Sequence, residues 1–179
     1  TMTADKKHVI NAEDAFIYET QAKALTHQDQ LIPYNTASVT TNTGGTAAPV
    51  VTTGSWANIV AGVHGSYDIT YSYGTGITQG SKTVILTVVP DGTVFPPSKD
   101  FALYAENGLI NVDQAKALTS QTDMIPYNSA SVILKNGTHV QPNVTTTSWV
   151  AINAGMEGTY PVTYSYGRGS DYVSKTVDL

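Results

Sequence analysis

The glycine-rich stretch GTGITQG, from Gly74 to Gly80, is the first part of the sequence whose residue types could bind a ligand. A phosphate-binding loop places glycines at fixed positions so that backbone N–H groups approach the anion, and a helix follows the loop. These glycines do not have the spacing of the dinucleotide-binding motif, and the residues that follow, SKTV, favour a strand. The same flanks recur as YSYGRGSDYVSKTV, where Val173 replaces Gly80. We therefore predict that GTGITQG is a turn between two strands.

The repeated flanks belong to a duplication that runs through most of the chain. QAKALTHQDQLIPYNTASV, beginning at Gln21, returns as QAKALTSQTDMIPYNSASV, beginning at Gln114, a shift of 114 − 21 = 93 residues. A period this long exceeds the roughly 20–50 residues of solenoid and propeller repeats and suits a whole domain. We predict one domain over residues 6–90 and a second over residues 91–179, joined within VVPDGTVFPPSKD, where proline and glycine interrupt strands.

Catalytic chemistry would require reactive groups that the two copies share. Glu13 and Glu106 are the only acidic residues at equivalent positions, and one carboxylate per domain does not supply separate acid and base roles. The histidines lie far apart in the sequence, and none has a histidine counterpart in the other copy: His8, His27, His64 and His139. We predict no catalytic residues, no cofactor site and no metal site.

Composition excludes several classes of partner. Nine Lys and Arg residues against 14 Asp and Glu give a formal net charge of −5, so the chain carries no basic surface for nucleic acid. The absence of cysteine excludes disulfides and thiolate metal sites. No apolar run reaches the about 18 residues of a membrane helix, and TMTADKKHV has no apolar signal-peptide core. We expect neither nucleic-acid binding nor direct membrane insertion.

Residue alternation predicts the fold class. In SYDITYSYG, apolar and aromatic residues from Tyr67 to Tyr73 alternate with polar ones, and SKTVILTVV alternates in the same way from Val84 to Val88. These segments predict a β-hairpin with one face in water. ASVTTN, ASVILK, PVVTT and PNVTT are further short strands, whereas QAKALT is the only patch with helix-forming residues. Frequent turns between short strands indicate an all-β sandwich in each half.

Four aromatic residues at equivalent positions are candidates for ligand binding. Trp56 and Trp149 precede an Ala-Gly turn in SWANIVAG and SWVAINAG, and Tyr34 and Tyr127 each lie in IPYN. A tryptophan in a sandwich packs in the core with its N–H on a carbonyl, or it forms an exposed platform on which a sugar stacks. The sequence leaves both roles open for these residues.

Lysine and asparagine also recur in register. Lys82 and Lys175 align, as do Asn35 and Asn128. A lysine beside an asparagine and a buried acid could form an intramolecular isopeptide bond. The last strand carries no Asn or Asp in both copies, which weighs against such a cross-link.

The end of each copy resembles the closing strands of bacterial immunoglobulin-like repeats in surface proteins of Gram-positive bacteria. The resemblance lies in GVHGSYDITYSYGTGITQGSKTVILTV and GMEGTYPVTYSYGRGSDYVSKTVDL, and the repeats of that family typically end in a G-x-Y-x-V-T-Y-x-Y pattern, a turn and a T-V-x-V strand. The resemblance implies two tandem immunoglobulin-like β-sandwich domains. It also implies an extracellular location on the bacterial cell surface and a non-catalytic stalk or adhesion role in a cell-wall-anchored protein.

The partners expected from this resemblance are a host glycan, an extracellular-matrix protein or only neighbouring repeats of the same chain. The alternative function is a carbohydrate-binding module that uses exposed aromatic residues. The second copy stops at Leu179, aligned with Leu86, whereas the first continues through TVVP. From this comparison we expect that the boundary at Leu179 was set by cloning or that the chain continues into further copies.

Overall fold

The computed structural model describes residues 1–76 and 79–179, and within them the chain forms 13 β-strands and four short α-helices. The chain is thus mostly β, in agreement with the predicted all-β class. It divides into two compact units. Unit 1 comprises Thr1–Asp91 with Lys135–Gly137, and unit 2 comprises Gly92–Leu134 with Thr138–Leu179.

Unit 1 is built from two sheets, of order β1-β3-β4 and β2-β7-β6-β5. All pairs are antiparallel except β2 with β7, which run parallel with Ala15 opposite Leu86. A core from both sheets includes Ile10, Ile69 and Leu86. The elements are β1 His8–Asn11, β2 Ala15–Tyr18, α1 Glu19–Lys23, a 3₁₀ turn Gln28–Leu31, β3 Ser38–Thr41, β4 Thr46–Ala47, β5 Val50–Thr52, α2 Trp56–Val60, β6 Gly65–Tyr73 and β7 Gly80–Val89.

Unit 2 repeats this arrangement with sheets of order β10-β9-β8 and β11-β12-β13. Residues 108–111, which align with β2, form no strand in the structure, and a single parallel bond from Gly108 N to Asp178 O (2.8 Å) stands in its place. The elements are β8 Phe101–Tyr104, α3 Val112–Ala117, a 3₁₀ turn Gln121–Met124, β9 Ser131–Leu134, β10 His139–Val140, β11 Asn143–Thr145, α4 Trp149–Asn153, β12 Pro161–Tyr166, a 3₁₀ turn Gly169–Asp171 and β13 Val173–Asp178.

The predicted hairpin is present in both units, as β6 with β7 and as β12 with β13. In β6, Ile69 and Tyr71 face the core while Asp68 lies in water, as the alternation predicts. The C-terminal end of β7 differs, because Thr87 and Val89 on the opposite face are buried too. Gly74 and Gly80 flank the connection, and Ile77 and Thr78 of the glycine-rich stretch lie outside the described residues.

The helices α2 and α4 correct the prediction that QAKALT is the only helical patch. Each begins at the tryptophan of SWANIVAG or SWVAINAG and buries one isoleucine. In α2, Gly62 takes a left-handed conformation (φ 71°), and its N–H bonds to Ile59 O at 2.9 Å while Val63 N–H reaches Asn58 O at 3.0 Å. This pattern terminates a helix at glycine. What reads as an Ala-Gly turn is therefore a helix C-terminus.

A buried side-chain network, which we call the Asn–Tyr clip, fastens each core. In unit 1, Asn35 Nδ2 donates to Glu13 O (2.7 Å), and Tyr71 Oη donates to Asn35 Oδ1 (2.8 Å) while lying 3.1 Å from Leu31 O. Both Asn35 and Tyr71 are fully buried. Burying polar groups is tolerated because each finds a partner.

The same clip is present in unit 2, where the bond from Asn128 to Asp178 O corresponds to a longer one in unit 1, from Asn35 Nδ2 to Ile85 O (3.4 Å). Asn128 Nδ2 donates to Glu106 O (2.8 Å) and to Asp178 O (2.9 Å), and Tyr164 Oη donates to Asn128 Oδ1 (2.8 Å). The clip explains why the asparagine recurs, and this explanation requires no isopeptide bond. The recurrent lysine also bonds to the backbone, since Lys175 Nζ donates to Gly92 O at 2.7 Å.

Candidate functional site

The two tryptophans named from the sequence sit at the first position of α2 and α4. Trp56 and Trp149 are half-buried, and each packs against the core of its own unit. Part of each indole ring therefore serves as core packing, and the rest reaches water, where a sugar could stack on it.

Tyr34 and Tyr127 follow the 3₁₀ turns Gln28–Leu31 and Gln121–Met124. Both are half-buried and pack against the same clusters as the tryptophans. The backbone there is tightly packed, since a Cβ on Gly108 would lie 2.1 Å from Tyr127 O. These aromatics thus lie where the turn meets the core of each unit.

A glutamine that sequence reasoning passed over organises the loop before each tryptophan. Gln28 Oε1 accepts from Thr53 N–H (3.0 Å), Thr53 Oγ1 donates to Asp68 O (2.8 Å), and Ser55 N–H donates back to Thr53 Oγ1 (3.2 Å). The loop between β5 and α2 is thereby fixed to β6. The clue in the sequence is that Gln28 is retained in the second copy, at position 121.

Unit 2 builds the same loop from equivalent residues. Gln121 Oε1 accepts from Thr146 N–H (2.9 Å), Thr146 Oγ1 donates to Pro161 O (2.7 Å), and Ser148 N–H donates to Thr146 Oγ1 (3.1 Å). The agreement extends to geometry, because corresponding bonds in the two units differ by about 0.1 Å. The loop therefore has the same hydrogen-bonded structure in both units.

Beside each loop lies an open depression, which we call the hydroxyl depression. Its volume is about 490 Å³ in unit 1 and about 450 Å³ in unit 2, within the range of small-molecule sites. It is lined mainly by threonines and one glutamine. The equivalent lining residues are Gln28, Thr52, Thr53, Gly54, Asp68 and Thr70 in unit 1, and Gln121, Thr145, Thr146, Thr147, Pro161 and Thr163 in unit 2.

The floor of each depression continues into a row of threonines across the sheet. Thr70 pairs with Thr52 on one side and with Thr83 on the other, and the hydroxyls of Thr70 and Thr83 lie 2.9 Å apart. In unit 2 the hydroxyls of Thr163 and Thr176 lie 2.8 Å apart. Such a surface donates and accepts hydrogen bonds without carrying charge, which suits a polyol. Asp68, replaced by Pro161 in unit 2, adds one exposed carboxylate to the unit 1 depression.

The shared acidic position has a backbone role. Glu13 and Glu106 supply carbonyls to the Asn–Tyr clip while their side chains are exposed. Tyr104 Oη donates to Glu106 Oε2 (2.7 Å), and this hydrogen bond lowers the pKa of the carboxyl. Lys175 lies 5.0 Å from the centre of the Tyr104 ring, and desolvation lowers the pKa of the lysine. The arrangement is one carboxylate beside one ammonium group on an open surface.

The histidines remain separate from one another. His64 Nε2 lies 2.8 Å from Glu19 Oε2, and Lys23 also bonds to this carboxylate, so Lys23 first and His64 second lower the pKa of Glu19. His8 packs on the Tyr73 ring at 4.9 Å. Over residues 1–76 and 79–179, no group of three or more metal-ligating side chains comes together. No helix in these ranges is long and apolar enough to cross a membrane.

Comparison with known proteins leaves the family open. No protein-family model matches the sequence, and no curated protein is significantly similar to it. The resemblance to bacterial immunoglobulin-like repeats therefore stays a prediction that rests on the pattern of the closing strands. The structure adds three features to this pattern: the Asn–Tyr clip, the hydroxyl depression and the parallel pairing of β2 with β7 in unit 1.

Proposed function

We propose that this chain is a non-catalytic stalk and adhesion module from the surface of a Gram-positive bacterium, built from two tandem immunoglobulin-like β-sandwich domains. The observation that carries the proposal is the parallel pairing of β2 with β7 in unit 1. These strands lie near the N- and C-terminal ends of the unit. Tension applied along the chain therefore pulls them past each other, and their hydrogen bonds are loaded together rather than one at a time.

What the two copies retain also supports a mechanical role. The asparagine and tyrosine of the clip and the glutamine of the loop recur at equivalent positions, and each holds backbone groups in place. Reactive groups do not recur in this way, because the shared glutamates serve through their carbonyls. The residues that both copies retain are therefore ones that hold the structure of each unit together. Under this proposal its partners are host surface molecules or neighbouring repeats of the same protein.

Single-molecule pulling through the two termini tests the stalk role. We expect two unfolding events, with unit 1 resisting a higher force than unit 2, because unit 2 has only the Gly108–Asp178 bond where unit 1 has four parallel residue pairs. Unit 2 is the matched control, since it shares the hairpin and the clip. Asn128→Ala identifies the unfolding event of unit 2, because it should lower the unfolding force of that event alone. Two events at equally low force would reject load bearing by the parallel strands.

Carbohydrate binding is the second candidate function, favoured by the recurrence of the hydroxyl depression in both units. It differs from the aromatic-platform alternative because hydrogen bonds in the depression, and not stacking on Trp56 or Trp149, would hold the ligand. Threonine hydroxyls, the glutamine amide and Asp68 offer the hydrogen bonds that a sugar requires. The ligand would lie on the outer face of the β5–β6 sheet.

A glycan and extracellular-matrix array distinguishes these possibilities. If the depression binds a glycan, Thr52→Val combined with Thr145→Val should weaken the signal about tenfold, because each change removes a hydroxyl at nearly constant volume. Ser81→Ala, an exposed change on β7 outside the depression, should leave binding intact. Loss of binding only in Trp56→Phe or Trp149→Phe would place the ligand on the aromatics. A silent array would reject the carbohydrate candidate.

A further inference from the structure

The hydroxyl depressions of the two units differ in charge. Asp68 on β6 lines the depression of unit 1, and Pro161 takes the equivalent place in unit 2. Asp68 alternates with the core residue Ile69, so its side chain lies on the outer face of the sheet. This side chain is exposed and makes no hydrogen bond or ion pair with the described residues, since only the carbonyl of Asp68 accepts from Thr53. A ligand in the unit 1 depression can therefore reach a carboxylate.

No neighbouring cation compensates this carboxylate. Over residues 1–76 and 79–179, neither lysine, arginine nor histidine lines the depression of unit 1. In unit 2 an exposed acid, Asp178, lies opposite Pro161 on the adjacent strand, but it does not line the depression. Opposite charges attract appreciably near a protein surface, where the effective dielectric constant is about 20 rather than 80. A positively charged ligand should therefore prefer unit 1.

The hydroxyls beside Asp68 are arranged to accept hydrogen bonds. Thr70 lies two residues further along the same face of β6, about 6.6–6.8 Å away, and its hydroxyl is 2.9 Å from that of Thr83. Each hydroxyl has one donor and two lone pairs, and their mutual bond uses one donor and one lone pair. The pair keeps one donor and three acceptor positions. Together with the carboxylate, which only accepts, this surface favours a ligand rich in donors.

The depression of unit 1 also has a donor for sugar oxygens and space for a ring. Gln28 uses its Oε1 to accept from Thr53 N–H, and its Nε2 donates to none of the described residues. A Cβ on Gly54 would meet nothing within 4 Å, whereas unit 2 has Thr147 at the equivalent position. Unit 1 is thus less obstructed here than unit 2.

We propose that the hydroxyl depression of unit 1 selects an amino sugar, a pyranose with a free ammonium group, whereas unit 2 does not distinguish amino sugars from uncharged ones. This proposal rests on the carbohydrate-binding candidate described above. The ammonium group donates to the carboxylate of Asp68 and to the hydroxyl of Thr70, and the amide of Gln28 donates to oxygens of the sugar. Charge-assisted hydrogen bonds are roughly twice as strong as neutral ones, so Asp68 is the residue that sets the preference.

NMR titration of the full chain with a matched pair of ligands tests the preference. The probes are a β-1,4-linked glucosamine trisaccharide and its fully N-acetylated counterpart, at about pH 5.5, where amines carry a proton and ordinary carboxyl groups have lost theirs. At unit 1, backbone shifts at residues 52–54 and 68–70 should give an affinity about tenfold higher for the glucosamine trisaccharide. At unit 2, residues 145–147 and 161–163 should respond equally to both sugars. Added salt should reduce the preference of unit 1.

Reciprocal variants assign the preference to one position. Asp68→Asn keeps the size of the side chain and should lower the affinity of unit 1 for the glucosamine trisaccharide to that for the N-acetylated one. Pro161→Asp should give unit 2 the same preference. Glu13→Gln is the matched control, because it removes an equal charge from an exposed side chain of unit 1 outside the depression and should change neither affinity.

The outcomes separate this proposal from the carbohydrate candidate itself. Equal affinity of unit 1 for both trisaccharides, or a preference that survives Asp68→Asn, would overturn the amino-sugar proposal and leave carbohydrate binding intact. Absence of shifts with either sugar in either unit would reject both. Butylamine supplies the charge without the sugar, so butylamine binding to unit 1 as tightly as the glucosamine trisaccharide would show that the depression recognises only an ammonium group, and the proposal would fail.

Discussion

Replacing Asn128 by alanine is expected to destabilise unit 2 by about 2–4 kcal/mol, because Tyr164 Oη and the carbonyls of Glu106 and Asp178 all lose a hydrogen-bond partner. The asparagine is fully buried, so water cannot replace the lost bonds without opening the core. This change corresponds to a fall in melting temperature of roughly 10–20 °C for a domain of this size. Urea unfolding followed by hydrogen exchange and mass spectrometry would measure it, since peptides report on each unit separately.

The chain provides two controls for this experiment. Asn143→Ala changes an exposed asparagine in the same unit and should alter stability by no more than about 0.5 kcal/mol. Asn35→Ala should reproduce the destabilisation in unit 1 and leave unit 2 peptides unchanged. If Asn128→Ala unfolded at the same urea concentration as Asn143→Ala, the clip would not be a source of stability.

Alkaline pH should unfold both units through their clip tyrosines. Burial raises the pKa of Tyr71 and of Tyr164 well above the ordinary value of about 10. Above about pH 10 the unfolded chain loses the phenolic proton while the folded chain retains it, so the free energy of unfolding falls as pH rises. The slope is about 1.4 kcal/mol per pH unit for each tyrosine, and the full stability is present below about pH 10. Between about pH 10 and 12 each unit should lose roughly 2–3 kcal/mol.

Urea midpoints measured for each unit from about pH 9 to about pH 12 would reveal this loss, with tyrosinate absorbance confirming that ionisation accompanies unfolding. Tyr71→Phe is the informative variant. It should cost unit 1 about 1–2 kcal/mol at neutral pH, because Asn35 Oδ1 loses its donor, yet it should flatten the alkaline slope of unit 1. A variant that kept the full slope would show that other groups cause the alkaline unfolding.

Local patterns in the sequence predicted the part of the fold that depends on neighbouring residues. The hairpin of β6 and β7 follows from alternation between Tyr67 and Tyr73, and β3, β5 and their copies follow from short β-branched runs. The helices α2 and α4 are only five residues long, too short to show a helical period, and they are held by one buried isoleucine and a terminal glycine. Their existence depends on tertiary packing.

The structural features that the sequence did not predict depend on contacts between residues far apart in the chain. The parallel contact of β2 with β7 joins residues 86 − 15 = 71 positions apart, and AFIY shows too short an alternation to identify a strand. The hydroxyl depression likewise depends on Gln28 reaching Thr53 across 25 residues. The aromatic residues were candidates for ligand binding because of their residue type alone. The recurrence of Gln28 as Gln121 would have been the better guide to a structured surface.

The parallel pairing of β2 with β7 also constrains when unit 1 can fold. β2 is synthesised early within unit 1, yet its partner β7 is the last strand of the unit to be synthesised. Until β7 emerges, β2 has no strand partner and the sheet of β5 and β6 lacks the strand that joins it to β2. Contacts so distant in sequence form slowly. Unit 1 should therefore complete its fold late in its own synthesis, and protection of nascent β2 should begin only once residues 80–89 have left the exit tunnel.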